Sequence, residues 1–228
     1  RLYGLVIYAL AQLKLWREAW PGTFHAMFFW GMSILLVGSI VVLLQADFGI
    51  PIMHGWLYLI FQSLILDIVG LLALAGIGLA IFNRYVLKPK RLHKSPGDGF
   101  ILILLAFILL TGFLIEGLRI VGTSDPRSSW SPVGRAFGVA LSALIPAGSL
   151  PAWHRVIWWA HTGATMLFIA YIPYSKLFHL ITGPLNIVFR DLEHRGSAPK
   201  PMNMENVESL GASKLEDFTW KDLLDLDA

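Results

Sequence analysis

The sequence predicts an all-α integral membrane helical bundle with four clear transmembrane spans. A partial span or surface helix precedes them, and a short interfacial helix lies between the third and fourth. Three observations predict this class. Of the 228 residues, 56% are hydrophobic and only 14% are charged, against about a quarter charged in a soluble domain. Several blocks are almost free of charge over more than the roughly 18–20 residues that cross a hydrocarbon core. The 18 Lys and Arg residues cluster beside those blocks and mostly on one side of them.

Taken in chain order, residues 3–15 (YGLVIYALAQLKL) form either the inner end of a preceding span or a surface helix. Arg1 opens on this apolar run with no initiator Met and no signal-peptide pattern, so the expectation is a fragment of a longer chain. The four spans are expected at about 24–46, 56–85, 99–121 and 153–181. Residues 134–145 are apolar but too short to cross, which predicts an interfacial or re-entrant helix. From Arg190 the chain becomes polar, with GSAPKP as a linker and FTWKDLLDLDA as an amphipathic ending. Only Arg119, Arg127, Arg135 and Arg155 fall on one side of the spans, leaving 14 of the 18 on the other. By the positive-inside rule the richer side is cytoplasmic. The same rule accounts for the basic balance without a nucleic-acid partner. With no cysteine there is no disulfide, no thiolate metal site and no cysteine-ligated iron–sulfur cluster within these residues.

The chemistry lies in the histidines. The fourth span contains WWAHTGATMLFIAYIPYSKLFHL, with His161 and His179 eighteen residues apart. On a straight α-helix that spacing is five whole turns, which places both on one stripe about 27 Å apart. His161 would lie near the outer side and His179 near the cytoplasmic side. Pro173 stands between them and predicts a kink. His25, in GTFHAMFFWGM at the cytoplasmic start of the first span, matches the depth of His179. Two neutral imidazoles facing each other across a bundle form a bis-histidine site for haem iron. Phe28, Phe29, Gly31, Gly163, Ala164, Phe168 and Ala170 offer the apolar and small surroundings that a porphyrin needs. The bland alternative is that these histidines reach the interface or bond to a carbonyl, in a cofactor-free membrane anchor or transporter bundle. An intramembrane ionisable group favours the functional reading.

At these residues the chain resembles the haem b membrane subunit of respiratory nitrate reductase, the gamma subunit, and its relative in membrane-bound heterodisulfide reductase. The resemblance covers residues 20–228. It implies that His161 and His179 are the ligand pair of the last span and His25 the first ligand of the family's second span, which is the first clear span here. The family's second ligand in that span falls here on Leu35, so the outer haem lacks its usual partner. His54, in IPIMHGW, is placed to replace it, and His154 is a weaker option. One haem b, on His25 and His179, is therefore the firm expectation, and a second, on His161 with His54, is the family expectation. The ending LEDFTWKDLLDLDA is similar to the linker before the cluster domain of fused membrane iron–sulfur oxidoreductases, some of which are menaquinone reductases for electron-transferring flavoprotein. This likeness implies a haem b transmembrane domain over 1–190 and, over 191–228, a cytoplasmic linker to an iron–sulfur partner or domain. It implies electron transfer to menaquinone or another quinone in the cytoplasmic membrane of a prokaryote.

Asp67, in SLILDIVGLL, falls near mid-depth of the second span, with Gln62 five residues towards the outside. A carboxylate at that depth is either a quinone or proton contact or a hydrogen-bond partner of a neighbouring helix. Glu116 and Arg119 are spaced to pair with each other, and Arg119 is also a candidate partner for a haem propionate. His93 and His194 sit in basic segments and read as solvent-exposed. GLLALAGIGLA reads as a surface for close helix packing.

Overall fold

The computed structural model describes residues 1–90 and 95–189. His93, His194, the GSAPKP linker and the amphipathic ending all lie outside the described residues. Helices account for the ordered elements, with no strand among the described residues. The described residues divide into two compact units, residues 15–175 (without 91–94) and residues 1–14 with 176–189.

In the larger unit, α2 (Ala19–Ala46) is the first of four helices long and apolar enough to cross a membrane. It packs on the second, Leu57–Leu87, whose centre is α3 (Leu66–Phe82). The sequence places small residues where these two helices meet, and their backbones approach closely as a result. A Cβ added at Gly31 would lie 2.6 Å from the Ala73 Cβ, and one at Gly76 would lie 2.8 Å from the Phe24 carbonyl oxygen. GLLALAGIGLA is thus a packing surface, with Gly70, Ala73 and Gly76 buried. The residues flanking α3 wind more widely. Leu57–Ile65 and Asn83–Leu87 are π-helical, seen where the Leu66 amide bonds back to the Phe61 carbonyl and Lys88 to Asn83. Single π turns recur at functional positions, and the first of these stretches carries Gln62.

The third span, α4 (Pro96–Thr123), begins after an extended Ser95, with Pro96 at its first position and Asp98 in its first turn. Pro needs no donor there, and a carboxylate suits the positive end of the helix. Eleven residues of α4 are buried, from Gly99 to Ile120, so it forms the core of the unit. The chain leaves it through Ser124 in the left-handed region (φ 49°). The expected interfacial helix is α5 (Pro132–Ser142), seated against α4 and α3. It lies so close that a Cβ at Gly117 would be 2.7 Å from the Gly138 nitrogen. The fourth span includes α6 (Leu150–Tyr171), which packs on α4.

The fourth span departs from expectation. It is not one kinked helix through residue 181. Helix α6 ends at Tyr171, a 3-10 turn covers Ile172–Tyr174, and Ser175 is extended (φ −130°, ψ 173°). Pro173 has no amide to give the preceding turn, and the Ser175 amide and hydroxyl both close on the Ile172 carbonyl at 3.2 Å. A second helix, α7 (His179–Phe189), starts after the 3-10 turn Lys176–Phe178. The straight-helix arithmetic that put His161 and His179 on one stripe therefore does not hold across this break, and the two residues fall in different units.

In the smaller unit, α1 (Leu2–Gly4) runs into a π-helical stretch, Leu5–Leu10. Helix α7 packs on both, and the Arg1 guanidinium donates to the Val188 carbonyl at 2.9 Å.

Candidate functional site

His161 is half-buried on α6, facing α4. Its Nδ1 lies 3.1 Å from the Ile108 carbonyl and 3.0 Å from the Thr111 hydroxyl. A carbonyl oxygen only accepts, so Nδ1 carries the proton and the lone pair is at Nε2. That is the tautomer a metal-ligating imidazole needs, held by a partner on its other nitrogen. Gly112 borders the ring, and a Cβ there would stand in ordinary contact, 3.6 Å from the His161 Cε1.

His179 begins α7 and is exposed, with Nδ1 2.6 Å from the Lys176 carbonyl. The same reasoning puts its proton on Nδ1 and its lone pair on Nε2. His25, on α2, is half-buried among aromatic rings, edge-on to Phe28 at 4.9 Å and stacked on Phe29 at 6.3 Å. His54 is exposed in the loop before the second span, and His154 is half-buried on the first turns of α6. These donors fit haem iron in type and tautomer. His161 and His179 each present Nε2, and His25 has the aromatic surround expected beside a porphyrin. No group of three or more His, Cys, Asp or Glu gathers for a metal ion among the described residues. A bis-histidine site needs only two protein ligands, so that chemistry is compatible with haem.

Asp67 is buried, and its two oxygens accept from the amides of Val133 (2.7 Å) and Gly134 (2.8 Å). These are among the amides that a helix leaves unpaired at its N-terminus. Asp67 therefore caps α5 from another helix. Gln62 lies one π-helical stretch away, and its Oε1 is buried with no hydrogen-bond partner. A buried acceptor without a donor is costly to keep. Glu116 and Arg119 do pair, through both carboxylate oxygens at 2.9 and 3.0 Å, and Arg119 also holds Asp125 at 2.8 Å. At the other end of the unit, Arg84 and Asp98 form a buried pair at 2.6 Å that ties the end of the second span to the start of α4. A cavity of about 230 Å³ opens beside it, lined by Phe24, Ala80, Asn83 and Ile101 among others.

Thr111, Ile108, Val133, Gly134 and Asp98 did not emerge from the sequence as site residues. Their partners are 14 to 67 positions away, and backbone groups carry no signal in residue type. The Thr111 hydroxyl inside an apolar run was the one visible sign.

The family model for the nitrate reductase gamma subunit matches residues 22–194. The "EtfAB:quinone oxidoreductase" of Syntrophomonas wolfei is 36% identical over 237 residues, covering 100% of this chain and 33% of the relative. The "Probable iron-sulfur-binding oxidoreductase FadF" of Bacillus subtilis is 31% identical over 228 residues, covering 99% of this chain and 32% of the relative. The chain thus spans about a third of the length of these relatives. No solved structure matches. Four membrane-length helices, together with a match over most of the chain, place this multi-pass membrane protein in the nitrate reductase gamma subunit family, as an electron-transfer module of oxidoreductases.

Proposed function

We propose that this chain carries electrons through b-type haem from an iron–sulfur partner on the cytoplasmic side to the quinone pool of a prokaryotic cytoplasmic membrane. His25, His179 and His161 are its haem ligands, His161 with His54 opposite. Bound haem b supplies one-electron transfer; the chain supplies ligation, burial and orientation. The observation that carries this reading is His161, whose Nδ1 is tied to α4 so that Nε2 is the ligating atom.

The names of the two relatives support the partners. One is a quinone oxidoreductase named for EtfAB, and the other an iron–sulfur-binding oxidoreductase. The iron–sulfur clusters would lie outside this chain, with electron-transferring flavoprotein as the source of electrons and menaquinone as the acceptor. Each quinone takes two electrons and two protons to become the quinol. Gln62 and Asp67 are the candidates for quinone or proton contact. The unpartnered Gln62 Oε1 would accept from a quinol hydroxyl, and Asp67 would shape that region by holding α5.

The test is a dithionite-reduced minus oxidised spectrum of the purified protein, with a pyridine haemochrome count per chain. A b-type signal at two per chain, lowered to one by His161→Ala, is the expected result. A signal of one per chain removes the second haem, on His161. No haem in a folded sample overturns the reading in favour of a cofactor-free anchor or transporter.

A further inference from the structure

The hydrogen bonds around His161 carry more than a ligand assignment. Thr111 is buried on α4, and its hydroxyl lies 2.7 Å from the Phe107 carbonyl and 3.0 Å from the Ile108 carbonyl. A threonine hydroxyl has one proton and two lone pairs. That proton is directed to a carbonyl of its own helix, the usual arrangement for a threonine inside an apolar helix. The unusual part is the imidazole on its other side. With its proton committed, Thr111 can only accept from His161, so two acceptors, the Thr111 hydroxyl and the Ile108 carbonyl, converge on one N–H. His179 differs: one carbonyl acceptor, that of Lys176, is recorded at its Nδ1, and the residue is exposed.

We infer that Thr111 is a positioning residue for the outer electron-transfer site. Together with the Ile108 carbonyl it fixes the His161 tautomer, aims Nε2, and lowers the reduction potential of the haem bound there. The assignment rests on the haem reading above. An acceptor on the far nitrogen raises the basicity of an imidazole ligand. A more basic ligand favours the ferric over the ferrous iron, so the potential falls. Low surrounding dielectric strengthens such a bond, and Thr111 is 5% exposed.

The test is a redox titration of the purified protein carrying Thr111→Val, Thr111→Ala or Thr111→Ser, with the haem count measured alongside. Thr111→Val keeps the shape and removes the acceptor, and Thr111→Ala adds no volume should Val disturb folding. The expected result is an upward shift of one haem's midpoint potential in both, with the haem count unchanged. Thr111→Ser should restore the wild-type potential, because it keeps the hydroxyl. A structural role alone would lower haem content or thermal stability without moving the potential. An unchanged potential at an unchanged haem count overturns this assignment and leaves the haem reading standing. A wild-type protein that binds no haem overturns both.

Discussion

Helices α4 and α6 are neighbours in two spans that are both long and apolar enough to cross a membrane, yet they stand in opposite relations to the rest of the chain. Half of the most apolar stretch of α4 is buried by other helices, against 6% of that of the fourth span. Helix α4 touches α3, α5 and α6, and holds Glu116, Arg119 and Thr111 in paired contacts. On α6 only Leu150 is buried, while Trp153, Val156, Trp159 and Met166 are among its exposed residues. Its predicted ligand His161 is nevertheless tied to α4. The helix that carries the proposed ligand is thus not the one that holds the fold, and a polar link ties that residue to the scaffold.

The largest effect expected from this comparison comes from adding one methyl group to each helix. In Gly117→Ala the new Cβ would meet α5 backbone, 2.7 Å from the Gly138 nitrogen and 3.0 Å from the Phe137 carbonyl carbon. Backbone cannot step aside as a side chain can, so the cost should be about 3 kcal/mol, at the upper end for overpacking. The same change on α6, Gly163→Ala, meets nothing within 4 Å. It should alter stability by less than about 1 kcal/mol, in the stabilising direction, as expected for an exposed helical glycine. Thermal unfolding in detergent measures both. Equal shifts for the two variants would mean that burial does not separate these helices.

The next effect lies at the cap of α5. Asp67→Ala leaves the Val133 and Gly134 amides without their acceptors inside a packed region. Losing hydrogen bonds to a charged group should cost about 2–3 kcal/mol. Asp67→Asn keeps one acceptor oxygen and should cost less. If Asp67 also contacts quinone or a proton, Asp67→Asn will lower quinone reduction by more than its loss of stability explains. Comparing the unfolding midpoint with the quinone reductase rate of the full complex separates these roles. A wild-type unfolding midpoint in Asp67→Ala would remove the capping role.

The span count, the interfacial helix, the Glu116–Arg119 pair and the packing surface at Gly70–Gly76 were all legible in the sequence. Each depends on residues close together in the chain or on a run of one character. The order of the helices in the core was not legible, because all four spans are apolar enough to cross a membrane and none announces which neighbours will bury it. The break before His179 was missed for a different reason. Pro173 is visible, but a proline within a membrane helix often only kinks it. What ends α6 here is the extended Ser175 closing on the Ile172 carbonyl, a backbone choice that residue type does not announce. The role of Asp67 as a cap and the tie from Thr111 to His161 depend on pairs 66 and 50 residues apart. Only the folded chain brings such pairs together.

The smallest effect sharpens the comparison at the C-terminal end of α4. Asp125 lies just beyond the helix and outside the span. Burial alone would raise its carboxyl, but the Arg119 guanidinium at 2.8 Å and the Arg127 amide at 2.9 Å outweigh that and hold it below its ordinary value of 3.8. A carboxylate with a depressed value in the folded state contributes its full stability above the unfolded value. That contribution is lost as the pH falls from about 3.8 through the lower folded value. The pair is partly exposed, with 12% of the Asp125 and 34% of the Arg119 side chain accessible, so it should contribute no more than about 1 kcal/mol. Asp125→Asn should therefore lower the unfolding midpoint slightly at neutral pH and have less effect as the pH falls below 3.8, where the wild-type carboxylate is itself being protonated. Unfolding of both proteins across pH 3 to 7 measures the difference. A gap between them that stays constant over that range would mean that Asp125 acts on the end of α4 through its shape and not through its charge.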